Sequence, residues 1–275
     1  MIQYIQIIRS EYIHLIRSPF KIISLSLFIF ALLYSCQNGY ELFKKHNIEI
    51  ESIISQNEKN IDEMLAQYED IVKGEQKKLR RDPTIPYWAI WNTPSYAFKY
   101  PSNMMVFSLG QAEQYGYYKK VTNWSTTFDS DTAEEIANPE RLAIGTLDFN
   151  FVLIYLLPIL IIILLFNVGG LEKDLKFEKL IFLNNITKPR WLFIRFLFYF
   201  LVINILLFKL MFICAFATGI FQNESFDFLN LLLITFLYIF FWFVIFYFIN
   251  YFGKNSSEQA LKMISTWILL SIIIP

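Results

Sequence analysis

Polar and apolar positions fall into long blocks rather than short alternations. Five stretches, 20–37, 149–171, 191–221, 228–252 and 258–275, are almost wholly apolar. A helix rises about 1.5 Å per residue, so about 20 apolar residues cross the ~30 Å hydrocarbon core of a bilayer. The three stretches between 149 and 252 meet that length outright. The first is short, but no charge lies between Lys21 and Glu41, and the last is still apolar where the chain stops. The pattern predicts an all-α polytopic membrane protein with five spanning helices. A cleaved leader is disfavoured at the first stretch, although Leu33-Tyr34-Ser35-Cys36 loosely resembles a lipoprotein processing site. The twenty residues before it are too long for a simple basic leader, so a retained signal-anchor helix is expected.

Two further segments show helical periodicity outside these blocks. In 1–19, Ile5, Ile8, Tyr12 and Leu15 share one face, while Gln6, Arg9 and Glu11 fall mainly elsewhere. Glu11, His14 and Arg17 would be costly inside a bilayer. An interfacial amphipathic helix ending at Pro19 is expected. In 48–79, Ile50, Ile54, Ile61, Met64 or Leu65, Tyr68, and Ile71 or Val72 fall at spacings of three, four or seven residues, on one helical face. This predicts a long amphipathic helix that stops before Pro83. Residues 83–147 are rich in proline and in aromatics such as Trp88, Trp91, Tyr96, Phe98 and Tyr100. Short elements packed on the long helix are expected there, with core packing favoured over an aromatic-lined ligand groove.

Charge then sets the orientation. Arg9, Arg17 and Lys21 lie before or at the start of the first span, Lys173, Lys176, Lys179, Lys188, Arg190 and Arg195 lie in the stretch after the second, and Lys254 lies between the fourth and fifth. The short link 222–227 has no Lys or Arg. The positive-inside rule puts the N-terminus in the cytoplasm of a cell whose inner membrane the chain spans. The block 38–148 becomes a mainly helical external, periplasmic domain, since long domains translocate largely regardless of charge.

Composition narrows the chemistry. Of 275 residues, 55% are hydrophobic and only 17% charged, below the level of an ordinary soluble domain. Acidic and basic residues number 24 each, so no net positive field points to nucleic acid. The two cysteines, Cys36 and Cys214, lie in or beside apolar runs and read as small buried hydrophobes. The two histidines, His14 and His46, are predicted on opposite sides of the membrane, which leaves no metal cluster or histidine-based triad. No phosphate-binding loop of the Gly-x-x-x-x-Gly-Lys-Ser/Thr type occurs, so no ATP-hydrolysing role is expected for this chain. The glycosylation patterns at Asn123 and Asn223 carry little weight in so Asn-rich a sequence.

The segment 172–190 is the candidate working surface. Leu175, Phe177, Leu180 and Ile181 can form an apolar face on a short helix, ringed by Glu172, Lys173, Asp174, Lys176, Glu178 and Lys179. An apolar anchor ringed by charge suits a protein interface. A loop that merely solvates helix ends fits the residues equally well. Pro158 bends the second span and is either a hinge or a static kink. Lys209 lies deep in the third span, where it either snorkels to the outer interface or meets substrate or a partner subunit. Asn167, Asn204, Asn230 and Asn250 are candidates for hydrogen bonds between helices.

Two stretches carry a family resemblance. One runs from Tyr96 through Pro101 to Phe107-Ser108-Leu109-Gly110-Gln111 and Tyr115. The other is Asn138-Pro139-Glu140-Arg141-Leu142-Ala143-Ile144-Gly145-Thr146-Leu147-Asp148-Phe149, leading into Tyr155-Leu156-Leu157-Pro158. With the interfacial helix and the large domain after span one, they resemble the permease subunits of bacterial type-2 ABC exporters. The nearest subfamily is that of nitrous-oxide-reductase maturation and gliding-motility permeases. The Gly-Thr pair usual there after span two is Glu178-Lys179 here. The resemblance implies a sixth span beyond Pro275 and a second permease copy or paralogue. It also implies a cytoplasmic ABC ATPase that carries ATP and magnesium, with no cofactor in this chain. The ATPase would dock at Glu172, Asp174, Leu175, Phe177, Glu178, Leu180 and Ile181, with membrane lipid around the spans. The rival readings are a non-transporting sensor or mechanical-coupling component with an external partner-binding domain, and a lipid-modifying enzyme. The enzyme would need a catalytic cluster that the cytoplasmic charges do not spell out.

Overall fold

The computed structural model describes residues 2–74, 81–109, 117–122, 148–182 and 186–274. The 138–147 and 110–115 parts of the resemblance, and the pattern at Asn123, lie outside them. The chain divides into two units, 1–38 with 147–275, and 39–146.

The first unit is a helical bundle. It begins with α1 (Ile2–Arg17) and the start of α2 (Pro19–Lys73). It resumes with α4 (Phe149–Leu165), the short α5 (Leu171–Asp174) and α6 (Glu178–Phe182), and the long α7 (Lys188–Ala217). It closes with α8 (Ile220–Asn223), α9 (Ser225–Phe252) and α10 (Ser256–Ile268), the last continued by a π-helical stretch at Leu269–Ile273. Among the described residues, α2, α7 and α9 are long and apolar enough to cross a membrane, and α4 is a shorter apolar helix. The five expected stretches thus include three full-length candidates.

Side-chain contacts give the helix directions. On α2 and α7, Lys21 bonds Tyr199 and Cys36 meets Cys214, so both contacts advance by the same number of residues and the helices run parallel. Phe196 packs on Tyr247, Phe200 on Phe243, and Phe212 on Phe228, so α7 and α9 run antiparallel. On α7 the buried positions Leu192, Tyr199, Ile203, Leu207 and Met211 recur at helical spacing. Phe193, Leu201, Ile205, Phe212 and Phe216 face out. An outward face this apolar suits lipid rather than water.

The helix departs from regular α geometry just before Pro158. Asp148 caps the start of α4 by accepting from Phe151 N at 2.7 Å. A π-helical stretch follows at Val152–Leu156, and Pro158 enters just after it. Proline lacks an N–H, and the widened turn lets the backbone pass it without a clash. Past α4 the chain approaches the α9–α10 corner closely. A Cβ on Gly170 would lie 2.5 Å from Ser256 N, and one on Gly169 would lie 2.9 Å from Asn250 O.

The second unit contains the rest of α2, α3 (Pro86–Asn92), a 3-10 turn at Asn103–Val106, and the strands β1 (Ser95–Phe98) and β2 (Tyr118–Val121). The strands are antiparallel, with Tyr96 opposite Lys120 and Phe98 opposite Tyr118. Two expectations change here. The span and the amphipathic helix form one 55-residue helix. It ends at Lys73 rather than near Pro83, because Gly74 takes a positive φ of 79°, the usual helix stop. Of the aromatics expected in a core, Trp91 and Tyr100 are exposed, and Trp88, Tyr96 and Phe98 are only half-buried. A two-stranded sheet covers only one of its faces, so the buried places go to Met105, Val106, Phe107, Leu109 and Tyr117.

Gly170→Ala should destabilise the bundle by about 1–3 kcal/mol, because its methyl meets backbone rather than a movable side chain. Thermal unfolding in detergent checks this, with Gly74→Ala, where nothing crowds the new methyl, as the milder comparison.

Candidate functional site

The α4–α5 corner gathers most of the buried polarity of the bundle. Arg195, two turns into α7, is 4% exposed. Its Nε lies 2.5 Å from Glu11 Oε1 on α1, and its Nη1 lies 2.6 Å from Glu172 Oε1 on α5. Nη1 also donates to the Val168 carbonyl at 2.7 Å, and the guanidinium sits 4.3 Å from the Trp191 ring centre. Lys21 stands beside this cluster. Its Nζ donates to the Leu164 carbonyl at 2.9 Å and to the Tyr199 hydroxyl at 3.0 Å. Two cations and two carboxylates balance, so the buried group carries no formal net charge.

Leu164 and Val168 are therefore satisfied by side chains where α4 ends and its last carbonyls lose their helical partners. Further bonds brace the same corner. Asn250 Oδ1 accepts from Gly169 N at 3.0 Å, Lys173 Nζ donates to the Gly253 carbonyl at 2.7 Å, and Lys188 Nζ donates to the Tyr251 carbonyl at 2.8 Å.

A groove of about 530 Å³ opens over the ion cluster. One wall is α1, through Gln6, Ile7, Ser10 and His14. The other comprises Leu171, Leu175, Phe177 and Ile181, with Trp191 at the back. Glu11, Glu172 and Arg195 form its floor. Burial, the larger effect, raises the Glu172 carboxyl above the usual carboxylate range, while the Arg195 guanidinium pulls the other way. Its Oε2 is buried without a hydrogen-bond partner.

The expected working residues separate in this structure. Leu175, Phe177 and Ile181 line the groove together, with Leu175 59% exposed. Glu172 belongs to the buried floor rather than to an exposed ring of charge. Asp174 turns to the other side and accepts from Ser256 N at 3.2 Å. Glu178 begins α6, near Lys188. Leu180 lies in α6, but its side chain is outside the described residues.

The single short helix expected here is two helices. The chain leaves α5 through a Schellman motif, in which Phe177 N bonds the Glu172 carbonyl and Lys176 N bonds the Lys173 carbonyl. Lys176 takes the left-handed position at φ 61°, which glycine usually fills. That turn swings Phe177 and Ile181 back toward α1. Pro158 lies in α4, away from the residues that line the groove, and Lys209 is exposed on α7.

Sequence reasoning missed the cluster itself. Arg195 and Lys21 counted only toward orientation, and Glu11 only as part of a polar face. The available signal was position. Both basic residues lie just inside apolar stretches, and a charge there needs a partner. Comparison with protein-family models, curated proteins and solved structures finds no match.

Arg195→Met should destabilise the bundle by about 3–5 kcal/mol, because it leaves two buried carboxylates facing each other. The check is loss of the monodisperse peak on size exclusion together with a lower Tm. Glu172→Gln tests the raised carboxyl. A group whose pKa is raised on folding adds stability below its unfolded pKa and loses it as pH rises through the folded value. The variant should therefore match wild type near pH 4 and exceed it at pH 8, read as Tm against pH.

Proposed function

We propose that this chain is the membrane permease subunit of an ABC exporter, driven by ATP hydrolysed on a separate cytoplasmic subunit. The observation that carries the reading is the groove. It is a cleft with one apolar wall, between an amphipathic N-terminal helix and the turn that follows an apolar helix, over the buried ion cluster. Leu175 and Phe177 give it apolar contacts, and Gln6, Ser10 and His14 along α1 give it a polar edge. An apolar patch beside polar side chains is the composition of a protein interface. In the proposal the occupant is a surface element of the ATPase, and α1 lies in the cytoplasmic interface as the second wall.

The topology in this reading is an N-terminus in the cytoplasm, five spans in this chain and 38–148 outside, in an inner membrane. Parallel α2 and α7 support it, since alternate spans share a direction. The clustering of Arg9, Arg17, Lys173, Lys188 and Arg190 at one end also supports it. The chain then supplies pathway and coupling, and the ATPase supplies nucleotide and magnesium. A second permease copy or paralogue completes the pathway.

The test is capture of the tagged protein from its own host in mild detergent. An ATPase with a phosphate-binding loop should co-purify, and Leu175→Asp with Phe177→Asp should cut its recovery at least tenfold while the permease stays monodisperse. If an intact bundle brings down no such ATPase, the exporter reading fails.

A further inference from the structure

A second groove, of about 390 Å³, runs between α7 and α9. Phe193, Leu197 and Phe200 line it from α7, and Phe240, Val244 and Phe248 from α9. Phe193, Leu197, Phe240 and Phe248 are exposed, so the groove opens on the face that meets lipid. Beneath them the buried Phe196 and Phe243 meet edge-on, with ring centres 6.2 Å apart. One lining side chain, Tyr247, carries a polar atom. Its hydroxyl is spent on the Pro189 carbonyl, to which it donates at 3.2 Å. The groove offers a polar occupant nothing to bond, so what fills it is hydrocarbon. Helices pack closely in a bilayer where Gly, Ala, Ser or Thr let their backbones approach. Among the described residues, none of these lines the groove. Bulky walls with a narrow floor suit a lipid chain better than a second helix.

Positive charge gathers at one end of this groove. Arg190 is exposed and lies three residues before Phe193, on the same face of α7 by helical spacing. On the other side, Tyr251 is one turn past Tyr247, and their rings stack. Lys188 Nζ stands 5.1 Å from the centre of the Tyr251 ring. It donates to the Tyr251 carbonyl at 2.8 Å, and Lys173 Nζ donates to the Gly253 carbonyl at 2.7 Å. Two ammonium groups thus sit on carbonyls two residues apart, and an ammonium has three N–H groups to give. Glu178 stands near Lys188. No carboxylate among the described residues forms an ion pair with Lys173, Lys188 or Arg190. Length fits as well. An exposed arginine is costly in hydrocarbon, which places Arg190 at headgroup level. From Arg190 to Phe200, α7 rises about 15 Å, half of the ~30 Å hydrocarbon core. The groove therefore spans one leaflet, from the headgroups to near the mid-plane.

We propose that the α7–α9 groove holds an acyl chain of an anionic phospholipid, whose phosphate rests on Arg190 and Lys188. The proposal needs only that α7 and α9 cross a membrane, and it is independent of transport and of the ATPase. The hydrocarbon lies along Phe193, Leu197 and Phe200 against Phe240, Val244 and Phe248. The phosphate oxygens accept from the Arg190 guanidinium and from N–H groups of Lys188 that the Tyr251 carbonyl leaves over. Lys173 adds to the field from behind. A zwitterionic phospholipid brings the same hydrocarbon and phosphate, but its own cationic group cancels the charge that these residues attract. The groove thus selects by headgroup while it holds by hydrocarbon.

The test reconstitutes the full chain in phosphatidylethanolamine vesicles doped with a photoreactive lipid. That lipid is phosphatidylglycerol or phosphatidylcholine, each with a diazirine partway along one acyl chain. After irradiation, labelled residues are mapped by mass spectrometry. Phosphatidylglycerol should label 193–200 and 240–248 roughly tenfold more than phosphatidylcholine does. Both should label Ile205 and Phe216, exposed on α7 outside the groove, to the same extent. Arg190→Gln should cut the preference roughly fivefold and leave Ile205 and Phe216 unchanged. Leu197→Trp with Val244→Trp, which fills the groove from its rim, should remove the excess labelling while the protein stays monodisperse. Equal labelling of the wild-type groove by the two lipids, or a preference that survives Arg190→Gln, overturns the proposal. Labelling of Ile205 and Phe216 with none in the groove means that protein covers it, such as a helix of a second copy, and overturns the proposal too.

Discussion

A buried arginine costs several kcal/mol in lost hydration unless its charge and its N–H groups are met inside the protein. Arg195 sits in such a place, and much of the bundle follows from meeting it. Its Nε points to α1 and its Nη1 to α5, so helices distant in sequence converge on one side chain. The amphipathic N-terminal helix is therefore tied to the bundle by Glu11 rather than only floating on its apolar face. The α4–α5 corner is held by the bond from Arg195 to the Val168 carbonyl. Lys21 repeats the device one turn earlier at Leu164. A lysine in place of Arg195 would present one compact charge where a planar fork is needed to serve two carboxylates and a carbonyl. The groove over this cluster is thus a product of the pairing, since Glu11 and Glu172 set the two walls their distance apart.

How much of this was legible varies with what each residue has to do. The apolar blocks of α2, α7 and α9 were plain, because length and hydrophobicity alone decide whether a helix can cross a bilayer. Which face of α7 turns inward was not. Phe193 and Phe196 are the same residue type, yet one faces outward and the other is buried. In water a helix announces its buried face by contrast with a polar one, and in lipid that contrast vanishes. Leu175, Phe177 and Ile181 were legible as an apolar group, and the groove does assemble them. Their geometry was not, because it depends on Lys176 adopting a left-handed conformation that a lysine gives no sign of favouring. The continuity of α2 was hidden for a related reason. Neither proline nor glycine-rich sequence separates the apolar part from the amphipathic part, but the change of pattern reads as a boundary when the backbone makes none.

The distribution of polar contacts also says what holds the bundle in one arrangement. Lipid is as apolar as leucine, so helices inside it gain little from burying apolar surface against each other. Close backbone approach and hydrogen bonds must choose the packing instead. In this chain those features crowd one end. Gly169 and Gly170 let α4 and the α9–α10 corner touch, and Asn250 and Lys173 bond across it. The other end relies on stacked and edge-on aromatics such as Phe212, Phe221 and Phe228. Such contacts tolerate sliding better than a guanidinium held by three oxygens does.

That asymmetry bears on where the structure can change shape. The ion cluster over-determines its own end, so α1, α5 and the first turns of α7 move together or not at all. The regular parts of α7 and α9 resist bending because every interior backbone bond is made within the helix. The π-helical stretch before Pro158 is different. Its wider turn already departs from the i to i+4 pattern, and the proline removes a donor that the regular helix would use. Bending there disrupts fewer ideal bonds than bending in α7 or α9. A load placed on the groove reaches α4 directly, because α5 follows it within a few residues and Val168 is bonded to the same Arg195 that floors the groove. The rigid end and the yielding turn lie on one continuous segment, so displacement at Leu175 or Phe177 is carried into α4 as a whole rather than absorbed in a loose loop.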